Sequence, residues 1–158
     1  MKIIFTWKEL IVMNGNLEID RFSANCNIRN ELNGRRKKDE IVYTIPIAGH
    51  PKPYYPRQFP SGIFDISEVQ YTNDSEYAPV KIKTNALREV FTWDLTRDGM
   101  YWMPTGNTQI DSAYWLHFTK SRTTLGCIRI GSESDAMNLA LIVKNELDKD
   151  KSVLLEVL

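Results

Sequence analysis

Cys127 and His117 are the side chains in this sequence whose types and spacing offer nucleophilic chemistry. A thiol attacks a carbonyl only as thiolate, so a reactive cysteine needs a base or a positive field beside it. One of the chain's two histidines stands ten residues upstream, in the run Leu116-His117-Phe118-Thr119-Lys120-Ser121-Arg122-Thr123-Thr124-Leu125-Gly126-Cys127-Ile128-Arg129-Ile130. That spacing permits a strand, a loop and a return that carries imidazole to thiol. Gly126 lets the backbone approach a substrate closely, so that the amides around Cys127 can point at a developing oxyanion. Arg129 shares the cysteine's face if the segment is a strand, and there could hold a carboxylate while lowering the thiol pKa. Thr124 could order the loop through its hydroxyl.

Each of these residues has an ordinary structural reading too. A cysteine flanked by apolar residues can be a small buried hydrophobe. His117, between Trp115-Leu116 and Phe118, can be a satisfied core imidazole, Arg129 a surface charge, and Thr124 a β-branched strand residue. A bridge between Cys26 and Cys127 would silence the chemistry. The two cysteines lie far apart and show no CxxC or Cys/His ligand spacing, which argues against structural zinc, and the histidines, His50 and His117, form no HExxH segment. No metal and no cofactor are expected. Nothing singles out two of the twenty acids as a pair for glycoside cleavage.

The elements that must position these residues read as mostly β. The 158 residues, 42% of them apolar, suit one domain, 1–158, with one core. Twenty cationic and twenty acidic side chains cancel to a net charge of zero, so no field of one sign favours nucleic acid. The basic run 35–38 is followed at once by Asp39 and Glu40 and reads as a solvated loop. Residues 9–13 and 17–22 read as a hairpin around Asn14-Gly15-Asn16. Residues 41–48 return to β-branched and apolar types. Five prolines between Pro46 and Pro60, with Tyr54 and Tyr55 among them, exclude helix and predict an ordered surface loop. Residues 62–69 read as a strand, 80–83 and 90–95 as weaker ones, with turns at Asn73-Asp74 and Asp98-Gly99. One helix is expected over residues 134–147, capped by Ser134, with Met137, Leu139, Ala140, Ile142, Val143 and Leu147 turned inward. Residues 152–158 close the chain as a strand. The fold class is therefore α+β: mostly β with one substantial helix. The aromatic residues Tyr54, Tyr55, Trp102 and Trp115 suit either a peptide groove or the core.

The N-terminus breaks into charge after a handful of apolar residues, where a secretory signal needs about 7 to 15, so no Sec signal is expected. No stretch approaches the roughly 18 apolar residues of a membrane span, so no membrane insertion is expected.

The run from His117 onward resembles the catalytic signature of the L,D-transpeptidase family, in which a histidine precedes Ser/Thr-x-Gly-Cys-aliphatic-Arg. Here that motif is Thr124-Leu125-Gly126-Cys127-Ile128-Arg129. Pro60-Ser61-Gly62-Ile63-Phe64 resembles the family's Pro-x-Gly-x-Phe strand, and Asp135, a helix and a last strand follow in the family's order. Phe118 stands where the family usually has Gly, Leu125 where it often has His, and the histidine-to-cysteine loop is shorter than in wall-crosslinking enzymes. The resemblance implies an L,D-transpeptidase-like β-sandwich and acyl transfer on peptidoglycan stem peptides. In it Cys127 is the nucleophile, His117 the base oriented by a main-chain carbonyl, Gly126 and Thr124 the oxyanion and orienting residues, and Arg129 the substrate-binding residue. An amine acceptor gives transpeptidation or D-amino-acid exchange, and water gives carboxypeptidase activity. Shortened domains of this kind are similar to L,D-transpeptidase-like toxins that bacteria deliver into rivals. That similarity implies synthesis in the cytoplasm, dedicated export to the periplasm or wall, and an immunity protein or secretion component as partner. The alternative from another class is a catalytically silent domain that binds wall peptides or a protein through its Pro/Tyr loop.

Overall fold

The computed structural model describes residues 1–27, 42–44, 59–95, 102–121, 124 and 126–158. Gly15 takes φ +60, the left-handed conformation that a tight turn needs and glycine adopts without strain. It joins β2 (Glu9–Asn14) to β3 (Leu17–Asn25) as the expected hairpin, with both strands longer than expected. The first residues add a strand the sequence reading did not anticipate, β1 (Lys2–Phe5), whose Ile3 and Phe5 alternate inward. There follow β4 (Val42–Thr44), β5 (Gly62–Tyr71), β6 (Val80–Thr84), β7 (Arg88–Leu95), β8 (Trp102–Asp111), β9 (Trp115–His117), β10 (Ile128–Ile130), α1 (Glu133–Leu147) and β11 (Leu154–Val157). Among the described residues the protein is thus mostly strands with one helix, an α+β fold.

Eight strands close a barrel in the order β1-β11-β5-β6-β9-β10-β3-β2, while β4, β7 and β8 form a separate antiparallel sheet. The expected sandwich therefore gives way to a barrel, and two long strands are the reason. The first part of β3 pairs with β2, and its end, Ala24 and Asn25, pairs with β10. Likewise β5 pairs with β11 through residues 62–65 and, past them, with β6 through Ile66 to Tyr71, with a register shift between Ile66 and Glu68. Each strand leaves one face for the other, so neither face has a free edge at these corners.

The core is continuous, from Ile3, Phe5, Leu10 and Val12 to Ile82, Leu116, Ile128, Ile130 and Leu155, all fully buried. β11 is interior, parallel to β1 and antiparallel to β5. The segment expected to be a surface loop ends inside the molecule: Phe59 is buried and meets Phe64 and Tyr114 edge to face. The rest of that segment through residue 58, with Tyr54, Tyr55 and His50, lies outside the described residues, as do the basic run 35–38, the Asp98-Gly99 turn and the remainder of 41–48 beyond β4.

The helix begins one residue before the expected start, and its cap is Ser132, not Ser134. Ser132 Oγ accepts the Asp135 N–H at 3.1 Å, the cap-to-third-residue bond. Ala136, Leu139, Ala140 and Val143 are buried, at the spacing of one helical face, against β5, β6 and β10. Met137 was expected inward and is exposed, because it falls off that face. No helix among the described residues is long and apolar enough to cross a membrane.

Candidate active site

Strands β9 and β10 are neighbours and parallel, with Leu116 beside Ile128 and His117 beside Arg129. Side chains alternate across a strand, so burying Leu116, Ile128 and Ile130 in the core turns Trp115, His117, Cys127 and Arg129 to the opposite face. On the other side of β9, antiparallel β6 brings Lys81 opposite His117 and Lys83 opposite Trp115. Thiol, imidazole and guanidinium share a face, as their spacing implies.

His117 is only 3% exposed. Its Nδ1 lies 2.9 Å from the Phe118 carbonyl, an acceptor, so Nδ1 carries the proton and the basic lone pair falls on Nε2. Burial holds the imidazole pKa below its ordinary value. The Phe118 carbonyl and Glu76 oppose that shift, and Arg129 and Lys81 reinforce it. The Cys127 Sγ accepts the Trp115 N–H at 3.5 Å and stands 3.5 Å from the Ala113 carbonyl.

The turn before Cys127 is held by Thr124. Its hydroxyl donates to the Cys127 carbonyl at 2.7 Å and accepts the Gly126 N–H at 3.3 Å, while its own N–H donates to the Asn27 carbonyl at 2.8 Å. Thr124 thus orients the loop. The expected role of Gly126 as an oxyanion donor meets a competitor in this bond; what glycine supplies is φ +122 in a buried position. Arg129 is likewise engaged: its Nε donates to the carbonyls of Thr119 at 3.0 Å and Ser121 at 2.7 Å, and its guanidinium lies over the Phe118 ring. It braces the histidine-to-cysteine loop, and its positive charge depresses the His117 pKa. The two cysteines are not bridged: Cys26 is buried on the core side of Gly126 and Cys127 is half-buried on the other.

His117 and Cys127 line one cavity of about 150 Å³, together with Glu76, Tyr77, Asp111, Ser112, Ala113 and Tyr114. Sequence reading missed these companions. Tyr77 is the most intimate of them, edge to face with His117 at 5.0 Å and with Trp115 at 5.4 Å, and Lys81 Nζ lies over both the Tyr77 and Trp115 rings. Burial first, then the charges of Glu76, Cys127 and Asp74, push the Tyr77 hydroxyl up to about 12, so it stays protonated. The only local signal was Asn73-Asp74: Asp74 Oδ1 accepts the Glu76 N–H at 2.8 Å, and its carbonyl accepts the N–H groups of Tyr77 and Ala78. The turn was legible, its destination was not. Tyr114 Oη donates to Asp111 Oδ2 at 2.5 Å and fixes the opposite wall. Among the described residues no group of three or more His, Cys, Asp or Glu could hold a metal ion.

A family model described as the L,D-transpeptidase catalytic domain, YkuD, matches residues 32–151. The chain belongs to that family. The match takes in β9, β10, α1 and every residue named in the cavity, whereas β1, β2, β3 and β11, half of the barrel, lie outside it. Membership in the L,D-transpeptidase family assigns the chain to transpeptidase-type acyl transfer on peptidoglycan. No curated protein and no solved structure matches the chain.

Proposed function

We propose that the protein transfers acyl groups from peptidoglycan stem peptides through a thioester on Cys127. The observation that carries this reading is the shared cavity, lined by a buried imidazole on β9 and by the thiol of the residue just before the parallel neighbour β10. Nε2 of His117 takes the thiol proton. Cys127 Sγ then bonds to the carbonyl carbon that joins an L-centre to a terminal D-residue, and the C–N bond breaks as His117 returns the proton to the departing amine. Main-chain N–H donors at the Cys127 turn stabilise the oxyanion, an effect that is commonly worth about 3 kcal/mol per donor. Binding sites for whole ligands usually measure about 300–1,000 Å³. A cavity of about 150 Å³ suits the scissile bond and a small terminal residue, with the rest of the stem outside.

The thioester resolves to an amine, giving crosslinking or D-amino-acid exchange, or to water, giving carboxypeptidase activity. Arg129 serves the reaction by bracing the loop and through its charge, and a carboxylate on the substrate is its remaining ligand in this reading. Delivery into rival cells, with an immunity protein or secretion component as partner, extends the reading and rests on the resemblance of this shortened domain to L,D-transpeptidase-like toxins.

Mass spectrometry of wall tetrapeptide fragments incubated with the protein tests the proposal. Loss or exchange of the terminal D-alanine, or a new crosslink, is expected, together with a carbapenem adduct on Cys127, all abolished in Cys127→Ala. Bound but unaltered fragments with Cys127 reduced and unmodified would instead identify a silent binding domain.

A further inference from the structure

The second cysteine has no part in the chemistry above, yet it touches the peptide on which that chemistry turns. Cys26 follows β3 directly and is buried. Its Sγ donates to the Gly126 carbonyl at 3.3 Å and accepts the Phe59 N–H at 3.3 Å. One residue on, the Asn27 carbonyl takes the Thr124 N–H, so the two residues after β3 grip the turn before Cys127 at two points. The Gly126 carbonyl and the Cys127 N–H belong to one peptide unit. That unit is planar and trans, so its C=O and N–H point in opposite directions. A carbonyl held toward Cys26 in the core directs the Cys127 N–H outward, to the side where Cys127 Sγ meets the cavity. Only glycine holds φ +122 without strain, so residue 126 permits this orientation but does not select it.

We propose that Cys26 is a positioning residue, whose thiol anchors the Gly126 carbonyl and thereby aims the Cys127 N–H at the oxyanion of the acyl-transfer step. This rests on the reading of Cys127 as the acylated nucleophile. Burial pushes the Cys26 thiol up to about 11, so it remains an S–H donor wherever the fold is intact. Serine preserves both hydrogen-bonding roles and alanine preserves neither.

The test compares wild type, Cys26→Ala and Cys26→Ser in the whole chain. It measures kcat and KM for release of the terminal residue from a wall tetrapeptide, and the rate at which iodoacetamide alkylates Cys127, read by mass spectrometry. Alkylation forms no oxyanion and reports only the thiolate. Cys26→Ala is expected to lower kcat about tenfold or more, short of the 10²–10³ seen when an oxyanion donor is deleted outright, with KM and alkylation within about twofold. Cys26→Ser is expected to restore most of kcat. Unchanged kcat in Cys26→Ala overturns the proposal, and so does an alkylation rate that falls in step with kcat, which would mean a displaced thiol. If Cys26→Ala does not fold, Cys26→Ser decides alone: kcat lowered as far as in a Thr124→Val enzyme overturns it. A wild type that forms no acyl adduct overturns the parent reading and this one together, whereas an active wild type with an insensitive Cys26→Ala overturns only this one.

Discussion

Burial holds the His117 pKa below its ordinary value, and the ring packed edge to face against the imidazole belongs to Tyr77. Desolvation is the largest cause of its lowered pKa, so stripping the cover must raise that pKa toward its ordinary value of 6.5. Tyr77→Ala is therefore expected to move the acidic limb of kcat/KM to higher pH, while Tyr77→Phe, which keeps the ring, leaves it in place. An NMR titration of His117 in the Cys127→Ala background, with no substrate present, gives the same comparison. Stability follows with a definite sign. The unfolded imidazole binds its proton below about pH 6.5 and the folded one only at lower pH, so folding stability is complete above that value and falls as the solution is acidified toward the folded pKa. His117→Gln should flatten that part of a melting-temperature profile and lower kcat about 10²–10⁴-fold. Cys127, His117 and Arg129 could be singled out because they lie in one short run whose alternation is enough to place them on one face, with Thr124 in the turn between the strands. Tyr77 was not, because it arrives from a distant turn and no local pattern records which ring will close over which.

Among the elements, the helix is the clearest case of a pattern read correctly and bounded wrongly. Two serines compete for its cap. Ser132 precedes Asp135 by three, the spacing at which a hydroxyl reaches the third N–H, and it takes that bond; Ser134 sits inside the first turn with its hydroxyl on Ser132 Oγ. Ser132→Ala should cost about 1 kcal/mol in urea unfolding, and Ser134→Ala no more than about 0.5 kcal/mol. The reverse order would restore the expected cap. Strands β1, β9 and β10 are three or four residues long, too short for period-two alternation to stand out from chance, and two of them carry the candidate site. What makes them strands is partners on both sides: β9 lies between β6 and β10, and β1 between β2 and β11.

Across the molecule, the barrel depends on its last strand. β11 joins β1, at the start of the chain, to β5, and Leu155 sits at its centre, fully buried between Ile3 and Phe64 in the register. Leu155→Ala is expected to destabilise the fold by about 2–5 kcal/mol in denaturant unfolding, the range for a large-to-small change in a packed core. Because the same barrel carries β9 and β10, turnover should be lost in that one unfolding transition and not before it. The sequence by itself determined the hairpin, the helix and the mostly β class, and it marked out Cys127 and His117 as the residues proposed for the chemistry, since each is written in neighbouring residues through type, spacing or period. Only the tertiary structure decided that the strands close a barrel and not a sandwich, that Tyr77 covers His117, and that Cys26 lies beneath Gly126. Those are meetings of segments far apart in the chain, selected by which apolar faces bury together and which polar groups must then find a partner.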